Sequence, residues 1–235
     1  MWCVAELNDE YIENMEDVLE TYEKPLSPEE PVVCVDEKSV TLHEEVRDPL
    51  PMKPGSVAKR DYEYKRCGTA NVFCGIEPKA GVHFTKVTPT RSAAEFADFI
   101  RSVAAHYPKA QTIHLVMDNL NTHNRKTLVD RFGDAEGNSL WNRFTVHYTP
   151  KHGSWLNQAE IEISLFSRQC LGKRRIGDLR PLQVETHAWN RRVNRKRVRI
   201  NWTFSRKKAR NKFGYKHKTR RSETLCHLVI SSENG

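Results

Sequence analysis

Three acids in this chain have types and placements that suit phosphoryl-transfer chemistry. Asp36 closes the apolar run Val32-Val33-Cys34-Val35, and Asp118 closes Ile113-His114-Leu115-Val116-Met117. Glu160 stands at the end of Trp155-Leu156-Asn157-Gln158-Ala159-Glu160. Two Mg²⁺ ions about 4 Å apart activate a water or hydroxyl and stabilise the leaving oxygen when a phosphodiester breaks. Mg²⁺ prefers carboxylate oxygens and keeps water and substrate phosphate as its other ligands. A protein therefore needs only a few acids on stiff elements, one of them placed to bridge the metals. Side-chain alternation along a strand sends Glu37 away from Asp36, so Glu37 is set aside as a ligand. Each aspartate taken alone also reads as an ordinary strand-end acid satisfied by turn amides.

The third acid has a rival. On a helix starting near Trp155, Leu156, Ala159, Ile163, Phe166 and Cys170 share one face, with Glu160 and Glu162 on its two flanks. The helical wheel does not choose between them. Glu160 shares its flank with Asn157, Ser164 and Ser167, small polar neighbours suited to metal and phosphate. Glu162 lies with Gln158 and Gln169 on what reads as a solvated face. The preference for Glu160 rests on that contrast.

Periodicity and punctuation define the elements that hold these acids. Residues 6–23 read as an acidic amphipathic helix, a lead-in to the main domain, broken by the prolines at 25, 28 and 31. Residues 32–36 read as a buried strand, which 39–44 either continue or answer with a partner. A Pro/Gly-rich loop covers 47–56, longer than most connections. Residues 69–76 and 82–87 form a hairpin around the turn 78–81. Thr90 or Ser92 caps a helix to about His106. A strand at 113–117 precedes a helix from about His123 to Phe132, capped by Asn121 or Thr122 and ended by Gly133. A strand at 144–148 precedes a helix from Trp155 to Leu171. This is an α/β layered domain whose central strands carry Asp36 and Asp118. Three segments are expected: a lead-in helix and linker over 1–31, a catalytic domain over 32–172, and a basic extension over 173–235 containing a helix at 179–193.

With 235 residues the chain can bury a sizeable core. No apolar run reaches a membrane-spanning length, and the N-terminus lacks the pattern of a secretory signal. The six cysteines form no Cys-x-x-Cys pair, which fits a reducing compartment and makes the cytoplasm the expected location. The net charge of +8 is unevenly spread. Residues 1–50 carry 15 Asp or Glu against 3 Lys or Arg, whereas 168–221 carry 20 Lys or Arg against 2 acids. A segregated basic third points to nucleic acid. Its cations, among them Arg191, Arg192, Arg195, Lys196, Arg197 and Arg199, are expected to meet DNA phosphates. Trp202 and Phe204 are expected to pack on the domain. Lys151 and His152 stand before Glu160 and are expected to touch the DNA backbone. His123, close to Asp118, is near enough to orient a phosphate or water, although a local cap or packing role is the favoured reading, and His114 reads as a core histidine.

Asp36-Glu37, then Asp118-Asn119-Leu120-Asn121-Thr122-His123, then the run from Thr149 to Glu160 with its Leu156-Asn157-x-x-Glu160, resemble the catalytic signature of DDE transposases. The bacterial insertion-sequence branch related to mariner elements is the nearest in pattern. The likeness runs from about residue 1 to 215, and the two motifs in this order are specific as a pair. Gln158 stands where the family often has proline. The resemblance implies a ribonuclease H-like fold: a mixed central sheet flanked by helices, here with a basic C-terminal extension. It implies two Mg²⁺ or Mn²⁺ ions held by Asp36, Asp118 and Glu160, with Asp36 bridging. Asn119, His123 and Asn157 become companions that support those ligands or the fold. The implied activity is cleavage of DNA strands at element ends and transfer of the freed 3′-hydroxyl to target DNA, by a homodimer, with no membrane partner. Full-length relatives open with helix-turn-helix domains, whereas this chain opens almost at the catalytic domain, as a fragment, half of a frameshifted pair or a decayed copy would. The alternatives are a ribonuclease H-like nuclease on structured nucleic acid and a truncated, inactive DNA-binding or dimerising remnant.

Overall fold

The structure, a computed structural model, describes residues 7–216. One mixed sheet contains β1 (Val32–Glu45), β2 (Tyr64–Glu77), β3 (Val82–Thr88), β4 (Ile113–Met117) and β5 (Phe144–Tyr148). Their spatial order is β3-β2-β1-β4-β5. β1, β2 and β3 pair antiparallel, while β4 runs parallel to both β1 and β5. Around the sheet lie α1 (Asp9–Glu23), α2 (Ala93–His106), α3 (Arg125–Phe132), α4 (Asp134–Trp141), α5 (Ala159–Phe166), α6 (Leu179–Lys196) and α7 (Arg206–Phe213). This is the expected α/β, ribonuclease H-like arrangement. No helix among the described residues is long and apolar enough to cross a membrane.

Alternation divides the central strands between two cores. Val33, Val35, Leu115 and Met117 face α2, where Phe96, Phe99, Ile100 and Val103 meet them. Cys34 and Val116 face the other way, against α1 and the start of α5. A reciprocal capping box fixes the start of α2: Ser92 accepts from Glu95 N–H, and the Glu95 carboxylate accepts from Ser92 N–H. Such a box contributes about 1 kcal/mol.

Several elements differ from the sequence expectation. β1 continues through Ser39 to Glu45, the first of the two readings of 39–44, so Asp36 lies within the strand and not at its end. β2 covers that continuation as far as Tyr64, which satisfies its backbone groups. α3 begins at Arg125 and is capped by Asn124, whose side chain accepts from Thr127 N–H; Asn121 and Thr122 are not its caps. α4 was not expected, because Gly137 breaks its pattern. Here Gly137 permits close packing of α4 on α3: an added Cβ would fall 2.6 Å from Val129 Cα. Gly137→Ala is expected to lower stability by about 1–3 kcal/mol through that backbone collision, read by chemical denaturation.

The C-terminal third, expected as an extension, is packed into the domain. α6 contributes Leu182, Trp189 and Val193 to a third core with Val72, Cys74 and Phe166. α7 and the segment before it pack on α1 through Trp202, Phe204 and Phe213. Arg206 pairs with Glu20 and Glu23, and Arg210 with Glu16. The acidic start and basic end of the chain therefore neutralise one another in part. Exposed pairs of this kind give at most about 1 kcal/mol each, so the aromatic packing carries more of the attachment. The expected packing of Trp202 and Phe204 is found; the expectation of DNA contact does not extend to Arg206 and Arg210, whose charges are already engaged.

Candidate active site

The parallel ladder sets the two aspartates beside each other. β1 and β4 pair at Val32 with His114, Val33 with Leu115 and Cys34 with Val116. Asp36 and Asp118 each stand two residues further on, so they share the face of Cys34 and Val116. That face is covered by Leu156 and Ala159. Glu160 comes next, in the first turn of α5. Three elements thus deliver one acid each to the same edge of the sheet.

Electrostatics link these acids. Burial pushes the pKa of Asp36 up to about 7. A hydrogen bond from Glu37 N–H, at 2.8 Å, works against the rise, while the charges of Glu160, Glu37 and Asp118 add to it. Asp36 has no Lys or Arg ion-pair partner among the described residues. No three His, Cys, Asp or Glu side chains among those residues converge closely enough to hold one metal ion as they stand. The donor chemistry nevertheless suits a hard divalent cation: crowded carboxylates, with Asp118 Oδ1 buried and lacking an in-line donor.

Glu160 and Glu162 differ in the structure on grounds other than those in the sequence. Glu162 is 1% exposed, so its flank is not solvated. Its Oε1 lies 2.8 Å from His83 Nδ1, and His83 Nε2 lies 2.9 Å from Val198 O. Glu162 is thus a buried tie between α5, β3 and the segment after α6. Glu160 is exposed and acts on Asp36. The continuous helix expected from Trp155 is interrupted: a single 3₁₀ turn, Ser154–Leu156, precedes α5.

Asn157 explains the interruption. Its Nδ2 donates to Val35 O at 2.9 Å, and its Oδ1 accepts from Ala159 N–H at 3.1 Å. One buried side chain thereby fastens the start of α5 to the residue before Asp36. Asn157→Ala is expected to cost about 1–3 kcal/mol by leaving buried backbone groups unpaired. It is also expected to slow metal-dependent cleavage about 100-fold, because the approach of Glu160 to Asp36 loses its clamp. Thermal melting and a cleavage assay on the same preparation check both.

His123 is more deeply engaged than a local cap. It is 1% exposed and stacks on Phe96 with ring centroids 4.2 Å apart. Its Nδ1 lies 2.6 Å from Asp118 Oδ1, while its hydrogen bond runs to Asp118 O at 3.2 Å. Its Nε2 faces Glu37 Oε2 at 3.5 Å. Burial opposes the charge on His123, but the Asp118 and Glu37 carboxylates outweigh it and push the pKa up to about 9. Sequence reasoning set Glu37 aside and missed this link. The only signal was Glu37 beside Asp36, with a histidine five residues after Asp118.

The other singled-out residues fall into two groups. Asn119, Lys151 and His152 are exposed, the last two on the loop between β5 and α5. That loop lies at the end of the sheet where Asp118 and Glu160 emerge. Arg191, Arg192, Arg195, Lys196, Arg197 and Arg199 are exposed on and after α6. Arg197 sits over the turn 78–81, where a Cβ at Gly81 would lie 2.7 Å from its carbonyl carbon. Ile200 N–H donates to Pro78 O. Since Cys34 pairs with Ile76, that turn borders the start of β1, away from the acids. His114, read as a core histidine, is 5% exposed, with Nδ1 2.9 Å from His147 Nε2.

Fold and site together define a ribonuclease H-like domain with an acidic centre at the edge of its parallel strands. The family model described as DDE superfamily endonuclease matches residues 31–183, and the chain belongs to that family. Among solved structures, the Mos1 transposase paired-end complex with left transposon end is 17% identical, with a TM-score of 0.53. The mariner Mos1 paired end complex with Mg is 16% identical, with a TM-score of 0.50. Each match covers 84% of this chain and 62% of the other. At this identity the likeness speaks to the fold, and this chain spans about three fifths of the length of those relatives. A search of curated proteins found no match.

Proposed function

We propose that this chain is a transposase catalytic domain that cuts DNA strands and joins a freed 3′-hydroxyl to target DNA. The observation that carries the reading is the β1–β4 register, which sets Asp36 and Asp118 side by side under the charge of Glu160. Asp36, Asp118 and Glu160 would hold two Mg²⁺ or Mn²⁺ ions, with Asp36 in the shared position. When bound, such ions activate the attacking oxygen and stabilise the leaving one. Asn157 and His123 keep Glu160 and Asp118 oriented, and Asn119 borders Asp118. Lys151 and His152 flank the acids and offer contacts to the DNA backbone. The exposed cations of α6 extend the basic surface. The complexes solved for Mos1 fit this reading.

A homodimer is part of the proposal. The loop between β1 and β2 exposes Leu50, Met52, Val57 and Tyr62 at 62–85%. Arg175 clasps its stem through Glu45 and the carbonyls of Asp61 and Glu63. An anchored loop with an apolar tip suits a protein partner. The buried, unpaired thiols of Cys34, Cys74 and Cys170 fit a reducing cytoplasm.

The test is incubation with Mg²⁺ and labelled duplex carrying the sequences that border the gene. Strand-transfer products that vanish in Asp118→Asn support the proposal. Nicks without transfer favour a nuclease, and a gel shift without metal-dependent cleavage favours an inactive DNA-binding remnant.

A further inference from the structure

Glu37 is not among the acids assigned to the metal ions. Its side chain is 4% exposed and sits beside a centre already crowded with acids, where its charge raises the pKa of Asp36. A buried carboxylate in such a place is costly unless it offsets a cation. Two groups face it: Arg91 Nη1 donates to Oε1 at 3.3 Å, and His123 Nε2 lies 3.5 Å from Oε2 without an in-line hydrogen bond. The other ring nitrogen of His123 lies 2.6 Å from Asp118 Oδ1. Phe96, stacked on the ring, limits the planes the imidazole can adopt.

We propose that Glu37 is a positioning residue that acts through His123, fixing the imidazole so that one edge faces Glu37 and the other faces the Asp118 carboxylate. The inference rests on Asp118 being a metal ligand. Carboxylate–histidine pairs behind metal ligands set ligand orientation, and their loss typically costs 10- to 100-fold in metal affinity. Alternation sends Glu37 to the α2 face, and His123 carries its influence back around the end of β4. Asp118 would thus be oriented from β1, the strand that carries Asp36.

The experiment is a double-mutant cycle with Glu37→Ala, His123→Ala and the double variant, read in two ways. In the first, Mn²⁺ affinity is measured by calorimetry without DNA. Glu37→Ala is expected to weaken binding 10- to 100-fold, and to add less than about 2-fold in the His123→Ala background. In the second, without metal, the Asp118 side-chain carboxyl ¹³C resonance is tracked. Glu37→Ala should move it, and should leave it unmoved once His123 is gone. Glu37→Gln keeps the volume and an acceptor, so it should fold like wild type and weaken Mn²⁺ binding less than Glu37→Ala. Full additivity, or an unmoved Asp118 resonance in Glu37→Ala, overturns the proposal. A wild-type protein that binds no Mn²⁺ while the resonance shift obeys the cycle overturns the metal-site reading and leaves the positioning relation standing.

Discussion

Asp36→Asn is expected to abolish metal-dependent strand cleavage, retain DNA binding, and make the metal-free protein more stable. In the folded protein Asp36 is pushed up to about 7, chiefly by burial. In the unfolded chain an aspartate titrates near 3.9. The folded state therefore binds more protons between those values. Stability is greatest below about pH 4, falls as pH rises towards 7, and remains reduced above. A three-unit shift corresponds to about 4 kcal/mol, and partial exposure brings this to the order of 2 kcal/mol. Asparagine carries no such charge. Asp36→Asn should thus melt about 4–8 °C above wild type at pH 8 in chelator. Adding Mn²⁺ should reverse the order, because binding to the native state stabilises wild type and the variant lacks a ligand. Full cleavage by Asp36→Asn in Mg²⁺, or a lower melting point than wild type in chelator, would refute the assignment.

Glu160 and Glu162 should respond in opposite ways although they lie in the same turn of α5. Glu160→Gln removes an exposed charge that bears on Asp36, so the fold should persist while cleavage falls by about 1,000-fold, the scale of losing a group that stabilises the transition state. Glu162→Ala breaks a fully buried contact and leaves His83 Nδ1 without its partner. Its expected cost is about 1–3 kcal/mol for the buried group left unpaired, visible as a drop in melting temperature. The Glu162→Ala protein that does fold should still bind Mn²⁺, because its acids are intact. Equal loss of stability in both variants, or normal cleavage by Glu160→Gln, would remove Glu160 from the site.

The candidate acids stood out because each stands after an apolar strand run or at a helix start, and the order of the motifs matched a family. Their arrangement was not. Asp36 reads as a strand end, since Glu37-Lys38-Ser39 lacks the apolar pattern of a buried strand; β2 carries the ladder past it. Glu162 reads as solvated because a helical wheel shows only one helix, and His83 reaches it from β3. α4 was hidden by Gly137, which local propensity scores as a breaker and packing uses as a contact. The basic third read as a DNA surface throughout, because charge counts do not reveal that Glu16, Glu20 and Glu23 stand opposite Arg206 and Arg210.

That opposition also has a temporal side. Arg210 and Glu16 are 194 residues apart, so α1 leaves the ribosome long before α7 exists. Until residues 202–213 have been made, Trp202, Phe204 and Phe213 cannot cover α1, and closure of this contact spans nearly the whole chain. Contacts of such long range form late, and apolar surface that waits for them invites association with other nascent chains. Synthesis arrested before Trp202 should release a chain whose sheet has formed but whose α1 still lacks its aromatic cover. Chaperone dependence of such arrested chains, set against that of chains extended past Phe213, would measure how much α7 secures α1.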